Sequence, residues 1–210
     1  MPSTSTLKKF FCPLEHCSQL FLPLVVVGWS WISDLPMELS DPLHKKYHMS
    51  DTKIQQLYSF HALPNIIALL FCGFLLKKMG PKFMYFCLIV TCIGHGLFSI
   101  GIEIQNYLSM LLGRILIGMS KKSGLVAQVY ITKVYSRESD IILLNSLCFI
   151  IAKVVASLAM YLNPELYIQT KSFNYTLIAS SVVLGISFIG FTVYYELIKK
   201  AKPHVWRLVH

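Results

Sequence analysis

The sequence predicts an all-α membrane protein with six transmembrane helices. Of its 210 residues 55% are hydrophobic and only 14% are charged, and the mean hydropathy is +0.59, outside the balance of a soluble globular domain. A hydrocarbon core about 30 Å thick needs about 20 consecutive apolar residues in a helix. Runs of that length recur along the chain at 17–33, 56–76, 83–102, 107–131, 141–162 and 174–195. They leave little chain for a soluble domain.

The first run follows a polar segment containing Lys8 and Lys9, holds Trp29 and Trp31, and ends at Asp34-Leu35-Pro36 without a small-residue cleavage pattern. It therefore reads as a retained helix rather than a signal peptide. Residues 1–16 are expected to be a cytosolic N-terminal segment, 17–195 a six-helix transmembrane domain, and 196–210 a basic cytosolic tail. The placement of basic residues sets this orientation. Lys8, Lys9, Lys77, Lys78, Lys82, Lys133, Arg137, Lys199, Lys200, Lys202 and Arg207 fall on one side. The other side has Lys45, Lys46, Lys53 and Lys171, diluted by Glu38, Asp41, Asp51, Glu103 and Glu165. Both termini are expected in the cytosol.

The net charge of +9 then needs no nucleic acid, because basic residues beside membrane helices meet anionic lipid. The six cysteines lie in apolar runs or in the N-terminal segment, so neither a disulfide framework nor a metal site is expected. Asn174-Tyr175-Thr176 is a glycosylation sequon that abuts the sixth run. No catalytic residue, metal or cofactor is expected: the chain has no metal-ligand spacing, Gly-x-Ser-x-Gly, phosphate loop or buried carboxylate pair. An enzyme is the weakest function class.

Ionisable residues within spans cost about 2.5–3.5 kcal/mol each on insertion scales, which makes each one a candidate functional group. In the fourth run Arg114, Lys121 and Gln128 form a heptad-spaced stripe, with Gly118 and Lys122 on the same broad face. The competing reading makes Ser120–Gly124 a turn, since Lys-Lys between Ser and Gly suits a loop. The fifth run adds Lys153, and neither run contains an acid to neutralise these cations. A cavity open to water or to an anionic group is the less costly environment. The second run carries His61 and Asn65 one turn apart with Pro64 between them, a pattern by which a kinked helix places polar groups near the midplane. A packed histidine bonded to a backbone carbonyl explains His61 equally well, and His95 between Gly94 and Gly96 reads as helix packing.

The connection Gly73–Lys82, GFLLKKMGPK, with Gly73, Leu75, Gly80 and Lys82 at the marked positions, resembles the cytoplasmic loop motif of the major facilitator superfamily. Arg114-x-x-x-Gly118 resembles the fourth-helix motif of the same superfamily. Within it, the chain is similar to the lysosomal dipeptide transporter group (the major facilitator superfamily domain-containing protein 1 group). Asp34-x-Pro36-x-x-Leu39, Leu57-Tyr58 with Pro64-Asn65, Gly73-Phe74-Leu75, Gly113-Arg114 through Gly118, Ser123, Val126-Ala127-Gln128 and Ala152-Lys153 carry that similarity in order. The resemblance implies one six-helix half of the superfamily's fold and a uniporter-like exporter of short peptides in the lysosomal membrane. It also implies a glycosylated single-pass accessory protein as partner. A second six-helix chain or a homodimer would complete the fold.

Three positions depart from the pattern: Lys77 stands where the loop motif has an acid, Lys122 where the group has a glutamate, and Lys153 where it has an arginine. A dipeptide needs a cation for its carboxylate and an anion for its amine. Lys153 can supply the first, and the spans supply no candidate for the second. The expected function is movement of dipeptides or other carboxylate-bearing solutes across a lysosomal or other endomembrane, with Arg114, Lys121, Lys122, Gln128, Lys153, His61 and Asn65 around the solute. His61 is a candidate pH sensor, since its ordinary pKa of about 6.5 lies between cytosolic and lysosomal values. The rival reading is a non-transporting structural or accessory subunit whose cations face a partner's acids or lipid phosphates.

Overall fold

The computed structural model describes residues 19 and 21–201. The N-terminal segment with Lys8, Lys9, Cys12 and Cys17, and the tail from Lys202 onward, lie outside the described residues. Among the described residues every regular element is helical. Three stretches are both long and apolar enough to cross a membrane: Asp51–Glu103, Glu138–Thr170 and Phe173–Ala201.

Helix α1 covers Phe21–Ile32 and stops where Pro36, at the start of the short α2 (Leu35–Glu38), cannot continue its ladder. The hydroxyl of Ser187 bridges α1's own backbone, accepting from Gly28 N–H at 2.7 Å and donating to Leu24 C=O at 2.8 Å. A side chain placed between an i and i−4 pair in this way is a recognised source of helix bending. Helix α3 (Ser40–Tyr47) ends on His48 in the left-handed conformation, φ 50°. Across the next turn His44 Nε2 meets Asp51 Oδ1 at 2.8 Å.

The second apolar run forms α4 (Asp51–Ala62) and α5 (Pro64–Met79). Pro64, which has no N–H, stands at their junction as the sequence predicts. Gly80 turns the chain through a 3-10 segment, Gly80–Lys82, into α6 (Phe83–Glu103). Its φ of 58° and ψ of −143° lie in a region essentially restricted to glycine, which explains why the loop motif carries one. Gly73 has open space around it, and Leu75 packs beside the core.

Asn106 begins α7 (Tyr107–Tyr135), its side-chain oxygen accepting from Leu108 N–H at 3.0 Å and Ser109 N–H at 3.3 Å. Helix α7 is continuous through Ser120–Gly124, so the turn reading of that segment is replaced by helix. Helices α6 and α7 approach until a Cβ on Gly113 would lie 2.5 Å from Gly94 O, the close backbone contact that small residues allow in membrane helices. Helix α8 (Glu138–Thr170) extends beyond the predicted fifth run and contains Pro164. Helix α9 (Phe173–Ala201) follows a left-handed turn at Lys171, φ 52°.

Two large apolar clusters and a small one of Ile32, Ile117 and Leu184 hold the helices. One surrounds Trp29 with Val25, Phe83, Ala127, Tyr135 and Phe191. The other joins Leu35, Leu39, Leu43, Ile54, Phe98 and Phe173. The two large clusters are built from several helices, and α8 contributes little to either. Only 11% of its most apolar window is buried.

Candidate solute-binding cavity

A cavity of about 320 Å³ opens between α1, α7 and α8. Trp29 forms one wall. Its indole N–H donates to Thr91 Oγ1 on α6 at 2.7 Å, and that hydroxyl also meets Ser120 Oγ at 2.7 Å. The ring lies on Gly124, where an added Cβ would come within 2.1 Å of it. Thus the apparently loop-like Ser120 and Gly124 both serve helix packing.

The polar lining comes from three elements. Helix α7 contributes Lys121, Lys122 and Gln128, α8 contributes Asn145 and Lys153, and the end of α1 contributes Ser30 and Asp34. Lys122 and Lys153 are exposed, while Lys121 and Asp34 are half-buried. Lys153 Nζ lies 5.6 Å from the centre of the Phe149 ring. Lys121 donates to the Ser33 hydroxyl. Gln128 Nε2 donates to Asn145 Oδ1 at 3.0 Å and Thr132 Oγ1 at 3.1 Å, which fixes the amide between α7 and α8. Among the described residues, neither Asp34 nor any of the three lysines makes an ion pair.

Asp34 is the acid that the sequence reading lacked. It belongs to no span, and it reaches the cavity because α1 ends there. Arg114 on α7 and Tyr58 on α4 face it electrostatically, as does Lys121. The cavity thus places one carboxylate opposite three ammonium groups in a partly water-excluded setting, where charges are felt more strongly than in bulk water.

The remaining residues of the expected site lie elsewhere. Arg114 is completely buried and is absent from the cavity lining. Its guanidinium donates to Ile32 C=O at 3.0 Å and also to Ser33 C=O, satisfying carbonyls that the end of α1 leaves without helical partners. A cation there also complements the negative end of the helix dipole. His61 Nδ1 lies 3.3 Å from Arg114 C=O, and Gly118 leaves room for the His61 carbonyl, 1.9 Å from where a Cβ would stand. Asn65 is buried nearby in sequence on α5 with its Oδ1 unpartnered. His95 Nε2 lies 3.3 Å from Leu177 C=O on α9. Arg114, His61 and His95 thus join helices together, and none of the four groups lines the cavity.

Comparison with known proteins places this geometry in a wider context. The family model of the Major Facilitator Superfamily matches residues 20–207. The chain is similar to the lysosomal dipeptide transporter MFSD1 of Bos taurus, 23% identical over 197 residues that make up 88% of this chain and 42% of the relative. It is 24% identical to the Homo sapiens protein of that name over 182 residues, 82% of this chain and 39% of the relative. With the Mus musculus protein it shares 25% identity over 138 residues, 64% of this chain and 29% of the relative. The chain spans less than half the length of these curated relatives.

Proposed function

The chain belongs to the Major Facilitator Superfamily, and from that premise we propose that it forms a six-span half-transporter carrying small zwitterionic solutes of dipeptide class. The observation that carries this reading is the set Asp34, Lys121, Lys122 and Lys153 around one cavity, none of them in an ion pair among the described residues. The solute carboxylate lies against Lys122 and Lys153, and its ammonium against Asp34. Gln128 and Asn145, already bonded to each other, offer hydrogen-bonding groups along the peptide. A volume of about 320 Å³ is at the small end of ligand cavities, as suits a site awaiting its other wall. The names of the similar proteins support the dipeptide class and a lysosomal membrane.

Six further helices complete the cavity, supplied by a longer chain, a second copy or another six-helix subunit. The largely uncovered surface of α8 supports that pairing. Both termini lie in the cytosol, beside anionic lipid. The same surface favours a second reading, an accessory subunit whose lysines neutralise a partner's acids; a glycosylated single-pass protein would be one such partner. In either case Arg114 and His61 hold helices in place.

Reconstitution into liposomes tests the proposal through uptake of labelled dipeptides and acidic solutes, with the native mass of the purified protein measured in parallel. Saturable flux above that of empty vesicles is expected wherever two six-helix halves are present. No flux from such an assembly would overturn transport and leave the accessory reading.

A further inference from the structure

Past the end of α1, α2 is joined to α8 by a contact between side chains 125 residues apart. Asn163 Nδ2 donates to Glu38 Oε2 at 2.6 Å. Asn163 is completely buried, and Glu38 is 8% exposed. The two remaining oxygens of the pair, Glu38 Oε1 and Asn163 Oδ1, are both buried and unpartnered. An ionised glutamate is an acceptor only, so in that form the contact holds one hydrogen bond and two orphaned acceptors. Each orphan has given up the hydrogen bonds it would make in water. One proton supplies the donor that both lack.

We infer that Glu38 is a proton-binding site, and that its protonated carboxyl pairs with the Asn163 amide through two hydrogen bonds, latching α2 onto α8. In that pair the acid O–H on Oε1 donates to Asn163 Oδ1, while Asn163 Nδ2 donates to Oε2 as observed. Loss of the proton removes the O–H donor, leaves a buried charge, and weakens the latch.

The surroundings favour the neutral form. Burial is the largest influence on Glu38, a residue outside the spans; the Asn163 hydrogen bond opposes it, the charge of Asp34 adds to it, and Arg114 opposes it. Together they raise the carboxyl from 4.5 to about 7. Asp41 and Lys45 from α3 and Tyr167 from α8 border the adjoining hollow, and from α4 Tyr58 faces Asp34 rather than Glu38. For an acid whose pKa is raised by folding, the contact is fully stabilising below 4.5 and loses strength as pH rises through about 7.

The fold gives the latch something to release. Pro164 follows Asn163 within α8 and cannot donate to the carbonyl four residues earlier, so the ladder is weakened where the latch attaches. A hollow of about 410 Å³ bounded by Met37, Lys45, Met160, Pro164 and Tyr167 reaches Glu38 itself, which gives a proton access. Acidic solution at this hollow therefore closes the latch, and neutral solution loosens it.

NMR of the protein in nanodiscs, with the glutamate side-chain carboxyls labelled with carbon-13, tests this without any solute. The chain has six glutamates. One carboxyl is expected to titrate near 7, far above the ordinary value of about 4.3. That resonance is lost in Glu38→Gln and retained when each of the other five is changed to Gln in turn. Should Glu38→Gln fail to fold, the five other variants still assign the resonance by elimination. The wild type is also expected to lose thermal stability as pH rises through this range, and Glu38→Gln to lose less. A wild type in which no glutamate titrates above about 5.5, or in which the high titration belongs to another residue, overturns the latch. Neither result depends on transport.

Discussion

Replacing Gly118 with alanine tests the packing that holds α7 and its lysines in position. The added Cβ would lie 1.9 Å from the carbonyl oxygen of His61 and 2.9 Å from its carbon. Ordinary contact begins at 3.4 Å, so the α4 and α7 backbones must separate by about 1.5 Å. The obstacle is backbone, and no side-chain rotation relieves it. Overpacking of this kind costs about 1–3 kcal/mol, and sometimes more. Alanine also gains about 1 kcal/mol over glycine in helix propensity, so the informative comparison is Gly96→Ala, where nothing lies within 4 Å of the new Cβ. The propensity gain is common to both, and the difference in unfolding free energy between the two variants is expected to be about 3 kcal/mol, the upper end of the overpacking range. Denaturant unfolding in detergent micelles measures it. Equal stability of the two variants would refute the α4–α7 contact.

Other consequences follow from the same contacts. Arg114→Met leaves Ile32 and Ser33 C=O without their guanidinium donors and is expected to cost at least about 2 kcal/mol by the same unfolding assay. Arg114→Lys should recover only part of that, because an ammonium cannot fork to two carbonyls as guanidinium does. Lys122→Glu, at an exposed position, should leave unfolding unchanged while weakening binding of carboxylate solutes by roughly tenfold, read by equilibrium binding. Trp29→Phe removes the 2.7 Å bond to Thr91 and is expected to cost about 1 kcal/mol, with the ring still resting on Gly124.

Much of the helical architecture is legible in the lengths of the apolar runs, and the breaks at Pro36, Pro64 and Gly80 are legible from backbone chemistry. The lysines of α7 and α8 are legible as cavity groups because unpaired cations in apolar helices need water or an anion. Less visible is the continuity of α7 through Ser120–Gly124. Its local composition favours a turn, whereas Thr91 and Trp29, distant in sequence, supply the packing that makes it helix. Arg114 has the same sequence signature as the cavity lysines, but the end of α1 lies within its reach and occupies its donors. Asp34, visible in the sequence as the end of the first run and as part of the family pattern, is not legible as a cavity acid for the opposite reason: it stands after an apolar run rather than inside one. Only the docking of α1 beside α7 brings it to Lys121, 87 positions away in the chain.

The claim that one carboxylate and several ammonium groups divide a zwitterion between them is tested most directly by uptake of one dipeptide in three forms. These are the free peptide, its N-acetyl derivative and its C-terminal amide, each measured with the wild type and with Asp34→Asn in an assembly containing both halves. The wild type is predicted to take up the free peptide at least tenfold better than either blocked form. Asp34→Asn is predicted to lose most of its preference against the N-acetyl form while still rejecting the amide. Undiminished discrimination against the N-acetyl peptide in Asp34→Asn would contradict the assignment of Asp34 to the amine.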